Sequence, residues 1–98
     1  MKGDLRLMYH PEVREDVARI PANIRKVIQR AIEERLGVDP VKFGDPLKRS
    51  LRGYRKLRVG DYRVIYRCDT PEVVILMIGH RKDVYDKVAS RVMGGAQQ

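Results

Sequence analysis

Residues 51–85 read LRGYRKLRVGDYRVIYRCDTPEVVILMIGHRKDVY, and this stretch decides the fold. Basic and apolar residues alternate on both sides of Gly60-Asp61, which predicts two strands, Tyr54–Val59 and Tyr62–Cys68. A two-residue connection with glycine at its first position is typical of a type II′ hairpin turn. The sequence therefore predicts a basic β-hairpin.

A third strand follows the hairpin. Asp69-Thr70-Pro71-Glu72 has the composition of a turn, and Val73–Ile78 is apolar on both faces, as expected of a central strand. Gly79 is predicted to end this strand. The three strands together predict an antiparallel meander.

The residues before the meander predict a short strand and two helices. Leu5, Leu7 and Tyr9 alternate with other residues, as strand residues do. Apolar residues then recur at helical spacing in two segments, the second ending where Gly37 is predicted to form a left-handed C-cap. The first stripe is Val13, Val17 and Ile20, and the second is Ile24, Val27, Ile28, Ala31, Ile32 and Leu36.

The predicted fold class is α+β, with the order β-α-α-β-β-β-α. Two N-terminal helices are expected to pack on one face of an antiparallel sheet, and the other face is expected to be partly free. A short closing helix over 83–92 follows from Val84, Val88 and Val92. We expect residues 1–98 to form a single domain, with 94–98 as a frayed tail.

Composition narrows the classes of partner. The chain has 98 residues, a net charge of +8 and a pI near 10.0, which favours an anionic partner such as nucleic acid or an acidic protein. Its one cysteine, Cys68, excludes an internal disulfide and a cysteine-rich metal site. No apolar run has transmembrane length, and the N-terminus lacks a signal-peptide pattern, so we expect a cytoplasmic protein that binds no membrane, metal or cofactor.

The basic residues are concentrated in and before the hairpin. Residues 48–67 contain eight Lys or Arg residues and one acid, Asp61. Arginine grips two phosphate oxygens, and a lysine serves as a base where neighbouring cations lower its pKa. Such a set can promote attack of a ribose 2′-hydroxyl on the adjacent phosphorus without a metal. An electropositive surface with no chemistry is the alternative, and alternation alone leaves open whether cations of both strands meet on one rim.

His80 and Tyr85 lie beside this basic segment in the sequence. His80 follows the predicted central strand, and Tyr85 follows Arg81 by one helical turn. Structural and functional roles for His80 are both open. His10, before Pro11, is expected to have a capping or surface role, and the remaining tyrosines of the sheet, Tyr54 among them, are expected to pack.

The two strongest motifs are LRVGDYRVIY over 57–66 and IGHRKDVY over 78–85. With LKRSLRG over 47–53 and the opening LMYHPEVREDVARIP, they resemble the RelE/ParE superfamily of type II toxin–antitoxin toxins nearly end to end. The resemblance implies the RelE-like microbial RNase fold, a cognate antitoxin, and either of two activities. The RelE branch cuts mRNA in the ribosomal A site, and the ParE branch poisons DNA gyrase.

The resemblance also implies roles for particular residues. Arg63 matches the family's phosphate-contacting arginine, and Arg81 matches its second arginine, assigned to the leaving group or the phosphate. Tyr85 matches its C-terminal tyrosine, and Lys56 matches a strand lysine assigned as a base. The candidate catalytic set is Lys56, Arg63, Arg81, Tyr85 and His80, and the candidate RNA- and ribosome-binding set is Lys48, Arg49, Arg52, Arg55 and Arg58.

Two departures from the family pattern qualify these roles. Tyr54 stands where well-studied RelE-like enzymes have a second lysine, and His80 replaces another basic residue, so His80 or Lys48 is an alternative source of proton transfer. Arg63, Arg81 and Tyr85 together favour the RelE branch, a ribosome-dependent endoribonuclease. A gyrase inhibitor and a non-toxic nucleic-acid-binding module remain the alternatives.

Overall fold

The computed structural model describes residues 5–96, with side chains as far as Met93, as an α+β domain built on a five-stranded sheet. The strands lie in the order β1-β5-β4-β3-β2, and the predicted fold class is confirmed. The elements are β1 (Arg6–Tyr9), α1 (Val13–Ala18), α2 (Ala22–Ala31), a π-helical turn (Ile32–Leu36), α3 (Pro40–Phe43), β2 (Asp45–Pro46), a 3-10 turn (Arg49–Leu51), β3 (Arg55–Val59), β4 (Tyr62–Asp69), β5 (Glu72–His80) and α4 (Val84–Ala96).

The predicted meander is present as β3, β4 and β5. Val59 pairs with Tyr62 across the turn, and Gly60 has a φ of 60°, the left-handed conformation that glycine adopts without steric cost. β5 lies inside the sheet, between β1 and β4, as predicted for this apolar strand. Gly79 does not end it, however. The strand continues to His80 because these two residues still pair with Arg63 and Tyr62 of β4.

β1 runs parallel to its neighbour β5, unlike the other strand pairs among the described residues. It pairs with the first half of β5 and ends with Tyr9 opposite Ile75. Along the rest of that edge, side chains replace a strand. Asp16 of α1 accepts from the backbone N–H of Ile78 at 3.1 Å, and Arg91 of α4 donates to the carbonyl of Leu76 at 3.0 Å. Two helices on opposite faces of the sheet therefore meet at this edge.

The first core lies on the sheet face covered by α1 and α2, called here the helix face. The predicted helical stripes supply most of its helical side. The buried members are Val13, Ile20, Ile28, Ala31, Ile32 and Leu36 from the helical segments, and Leu57, Val64, Tyr66, Val73, Ile75 and Ile78 from the strands.

Two details of the second helix differ from the prediction. Val27 is 58% exposed, because at 100° per residue it lies about a quarter turn from the centre of the stripe. Gly37 has a φ of −74°, so it is not a left-handed cap. The helix widens into the π-helical turn instead, and the Gly37 N–H bonds to the carbonyl of Ile32 at 3.0 Å.

The second core lies on the opposite face, called here the site face, and α4 covers part of it. Ile65, Leu76 and Met77 of the sheet pack against Val84 and Val88 of this helix. Leu47 and Leu51 join the same cluster. α4 is longer than the predicted closing helix, since its backbone continues through residues 94–96 of the expected tail, while residues 97–98 lie outside the described range. Within that range no helix is both long and apolar enough to cross a bilayer.

Tyr66 ties the sheet to α3. Its side chain is fully buried, and its hydroxyl donates to the carbonyl of Pro40 at 2.6 Å. Burial raises the pKa of Tyr66, so the hydroxyl stays protonated as a donor. Gly44 lies against this ring, where a Cβ would come within 1.7 Å of the hydroxyl oxygen.

We expect Tyr66→Phe to lower the free energy of unfolding by about 1–3 kcal/mol, because the buried Pro40 carbonyl loses its donor. Urea unfolding with an unchanged m-value measures the loss. Tyr62→Phe is the matched control, since the Tyr62 hydroxyl has no hydrogen-bond partner among residues 5–93. Equal stability of the two variants would show that the Pro40 bond contributes nothing.

Candidate active site on the sheet

The hairpin register brings the basic residues of β3 and β4 onto the site face. Lys56 pairs with Ile65, and Arg58 pairs with Arg63, so these four side chains point to the same side of the sheet. Ile65 belongs to the core under α4, which identifies that side as the site face. The question that alternation left open is thus answered: cations of both strands line one surface.

Arg63 is a buried cation on this surface, next to the hairpin turn. The residue is 9% exposed, and its Nη1 donates to the carbonyls of Gly60 and Tyr62 at 3.0 and 2.9 Å. These bonds hold the guanidinium against the hairpin turn. Within residues 5–93 no carboxylate forms an ion pair with it. A buried cation without an acidic partner is well suited to receive an anion.

Lys56 and Tyr85 meet across the same face. The Lys56 Nζ lies 5.7 Å from the centroid of the Tyr85 ring, within the range of a cation–π contact. Tyr85 is positioned by the first turn of α4, where Val84 packs over the side-chain-free Gly79 at 3.3 Å from the position a Cβ would occupy. The close approach of α4 at Gly79 therefore brings the tyrosine ring to the lysine.

Arg81 contacts the hairpin turn between β3 and β4. Its backbone N–H donates to the carbonyl of Asp61 at 2.8 Å, and its Nε lies 3.5 Å from Asp61 Oδ1. α4 begins at Val84, so Arg81 lies in the turn before the helix rather than one helical turn from Tyr85 as the sequence suggested. The hairpin turn at Gly60-Asp61 therefore contacts both candidate catalytic arginines, Arg63 and Arg81. The contact of Asp61 with Arg81 was not predicted from the sequence.

His80 is not brought to the other candidates. It pairs with Tyr62, and their rings form an edge contact with centroids 5.6 Å apart on the helix face. Its Nδ1 accepts from the backbone N–H of Lys82 at 3.2 Å. The sheet therefore separates the imidazole from Lys56, and the geometry does not support His80 as the proton-transfer partner of that lysine.

The candidate RNA-binding residues divide into two groups. Lys48, Arg49, Arg52 and Arg58 are exposed. Arg55 differs, because its Nη2 donates to the carbonyls of Val41 and Gly44 at 2.9 and 2.8 Å. Its side chain lies on the helix face of β3 and fastens α3 to the sheet, so the structure gives Arg55 a structural position rather than an exposed RNA-binding one.

A second cation–aromatic pair on the site face was missed at the sequence level. The Cζ of Arg67 lies 5.8 Å from the centroid of the Tyr54 ring. Partial burial lowers the pKa of Arg67, but the hydrogen bonds and charge interactions with Asp69 and Tyr54 together raise it by more, and the net direction is upward. The guanidinium therefore stays charged. Strand alternation places Tyr54 on the same face as Lys56, and Arg67 on the same face as Arg63. A two-residue hairpin turn then places Tyr54 opposite Arg67, so the sequence could have predicted this pairing.

Comparisons with known proteins match the whole of this region. A sequence model described as the ParE toxin of the type II toxin–antitoxin system parDE matches residues 7–85. The chain is 36% identical over 74 residues to the toxin RelG of Mycobacterium tuberculosis. The alignment covers 74% of this chain and 85% of RelG. The chain is 28% identical over 75 residues, with the same coverage, to the toxin RelE3 of Methanocaldococcus jannaschii.

Solved structures give the same result. A chain in the crystal structure of the toxin–antitoxin complex RelBE2 from Mycobacterium tuberculosis has a TM-score of 0.75 and 32% identity, with 82% of this chain and 94% of that chain covered. A chain in the archaeal RelE–RelB complex from Pyrococcus horikoshii has a TM-score of 0.56 and 25% identity, with 82% and 98% covered. The similarity therefore extends over the fold that positions the site face.

Proposed function

This chain belongs to the ParE toxin family of type II toxin–antitoxin systems, and we propose that it is a ribosome-dependent endoribonuclease. In this proposal it cleaves mRNA in the ribosomal A site, and it acts in the cytoplasm, where ribosomes are found. Its cognate partner is an antitoxin that restrains it. Structural relatives that were solved as toxin–antitoxin complexes support that partner.

One observation carries the proposal. Lys56, Arg63 and Tyr85 share the site face, and Arg63 is a preorganised cation with no carboxylate partner among residues 5–93. A group that binds a developing negative charge from a fixed position stabilises the transition state without reorganising. A face that served only to dock nucleic acid would not require a buried arginine fixed by two backbone carbonyls.

The proposed reaction moves two protons, one from the ribose to Lys56 and one from solvent to the leaving oxygen, and exchanges one phosphorus–oxygen bond. Lys56, in its neutral form, accepts the proton of the ribose 2′-hydroxyl, and the 2′-oxygen forms a bond to phosphorus. Arg63 contacts the non-bridging oxygens of the phosphorane. The bond from phosphorus to the 5′-oxygen breaks, Arg81 stabilises the departing oxygen, and solvent supplies its proton. The products are a 2′,3′-cyclic phosphate and a 5′-hydroxyl.

Tyr85 has a positioning role in this scheme. Its ring lies near the Lys56 Nζ and offers a π face to a nucleotide base. The exposed cations Lys48, Arg49, Arg52 and Arg58 attract the phosphates of mRNA and ribosomal RNA. Lys48 remains an alternative proton carrier in this proposal.

The deciding experiment is primer extension on mRNA after brief induction of the protein. We expect new message ends at codons occupied by ribosomes, with 2′,3′-cyclic phosphate on the upstream fragment. Lys56→Ala should slow cleavage by roughly 100-fold while ribosome binding is retained, within the usual range for loss of a general base. Lys26→Ala, on the exposed side of α2, is the matched control and should behave as the unmodified protein.

Inhibition of DNA gyrase is the second candidate function, because the family to which the sequence matches is that of the ParE toxins. A ParE-like protein would inhibit DNA gyrase without cleaving RNA. A gyrase supercoiling assay beside the primer extension separates the two. Intact message together with trapped, cleaved DNA would replace the endoribonuclease proposal with gyrase inhibition.

A further inference from the structure

Tyr54 and Arg67 form a pair that the proposed reaction does not use. Arg67 lies over the tyrosine ring, and its Nη1 makes a long hydrogen bond of 3.5 Å to the tyrosine hydroxyl. Its Nε donates to Asp69 at 2.7 Å, which fixes one edge of the guanidinium. The side chain of Arg67 is 44% exposed, so an incoming ligand can reach it.

The pair lies one step along the site face from Lys56 and Tyr85. Tyr54 precedes Lys56 by two residues, and Arg67 follows Ile65, the partner of Lys56, by two residues. Two residues of strand span about 6.6 Å. The β3–β4 pairing has no register shift as far as Arg55 and Tyr66, and Tyr54 and Arg67 are the next residues of the two segments beyond it. This separation is close to the spacing of neighbouring phosphates in an extended single strand.

Each row therefore offers one cation and one aromatic ring. The first row is Lys56 with Tyr85, and the second is Arg67 with Tyr54. Alternating cations and rings are the pattern by which proteins bind single-stranded nucleic acid, because every base has a π face and every linkage has a charge. Tyr54 is anchored by packing against the core under α4, so its ring is held in place before a ligand arrives.

We propose that Tyr54 and Arg67 form a nucleotide subsite for single-stranded RNA, adjacent to the scissile phosphate. The base of the neighbouring nucleotide stacks on Tyr54, and its phosphate contacts Arg67. This inference rests on the proposed function for the identity of the RNA, but the binding it describes is measurable without cleavage. The subsite occupies the position at which the superfamily's second strand lysine is replaced by a ring.

The test uses the full chain and a short fluorescein-labelled 2′-O-methyl RNA, which binds but has no 2′-hydroxyl to attack. We expect Tyr54→Leu to weaken binding about 10-fold, as loss of one base stack does, and Tyr54→Phe to stay within about 2-fold of the unmodified protein. Arg67→Gln should weaken binding and lower the salt dependence by about one phosphate contact. Arg30→Gln, on the exposed side of α2, removes the same charge away from the site face and serves as the control.

Cleavage mapping supplies an independent readout. Tyr54→Leu should change the base preferred at one position beside the cut and leave the chemistry of the new ends unchanged. If it changes neither RNA affinity nor base preference while the protein still cuts mRNA, the subsite is refuted and the proposed function stands. If the unmodified protein binds RNA through Tyr54 but never cuts mRNA, the subsite stands and the proposed function fails.

Two further outcomes are decisive. If Tyr54→Leu and Arg67→Gln weaken only the complex with the antitoxin, the pair is a protein-binding surface and the RNA subsite is refuted. If Tyr54→Leu fails to fold, Arg67→Gln remains a valid test, because its half-exposed side chain can change without disturbing the core. Unaltered RNA affinity in Arg67→Gln would then overturn the proposal.

Discussion

We expect Arg63→Ala to lower the single-turnover rate of mRNA cleavage by about 100-fold or more, the effect of removing one preorganised donor to a developing oxyanion. The magnitude follows from the position of the side chain. Its guanidinium is buried and fixed by the carbonyls of Gly60 and Tyr62, so little energy is spent in orienting it during the reaction. Nothing else on the site face is held in this way among the described residues.

The conservative variant distinguishes geometry from charge. Arg63→Lys keeps the charge but replaces a planar fork with a point donor, so we expect it to recover no more than a small part of the lost rate. Arg81→Ala should have a smaller effect, because its side chain is 52% exposed and Asp61 competes for it. Rates should be normalised to ribosome binding. A fully active, folded Arg63→Ala protein would exclude the proposed mechanism.

The sequence predicted the hairpin well but only part of the site face. The strands and the Gly60 turn follow from alternation and turn chemistry, which act over a few residues. The pairing of Arg58 with Arg63 also follows, once a two-residue turn fixes Val59 opposite Tyr62. The faces of β3 and β4 could therefore have been assigned from the sequence alone.

The remaining site features depend on contacts that local patterns do not encode. The face of His80 is set by the pairing of β4 with β5, and this pairing shifts register at Ile65 and Tyr66. The role of Arg55 depends on α3, which brings the carbonyls of Val41 and Gly44 to it from more than ten residues away. A count of cations in the sequence includes Arg55 with the RNA-binding residues, although the fold uses it internally.

The buried ion pair at the edge of β5 is a stronger example, and it was not predicted. Asp16 and Arg91 lie 75 residues apart in the sequence and form a two-point contact, with Oδ2 to Nη1 at 2.7 Å and Oδ1 to Nη2 at 3.0 Å. Their side chains are 11% and 10% exposed. Each also bonds to the β5 backbone, at Ile78 and Leu76. The pair therefore satisfies a strand edge that β1 is too short to cover.

We expect Asp16→Ala to lower the free energy of unfolding by about 3–5 kcal/mol, because it leaves the buried Arg91 without its counter-charge and the Ile78 N–H without its acceptor. Glu12→Gln is the matched control. Glu12 contacts the same arginine at 3.5 Å, but its side chain is 60% exposed, so its removal should cost less than about 1 kcal/mol. Urea unfolding of both variants measures the difference.

The size of that difference decides how the sheet is stabilised at this edge. If Asp16→Ala costs no more than Glu12→Gln, the ion pair is incidental, and apolar packing alone holds α1 and α4 to β5. If the full difference is found, Asp16→Asn should recover part of it, since an amide oxygen still accepts from the Ile78 N–H but leaves the charge of Arg91 unbalanced. Because α4 also positions Tyr85, loss of this contact should then weaken cleavage as well as stability, with the site-face residues unchanged.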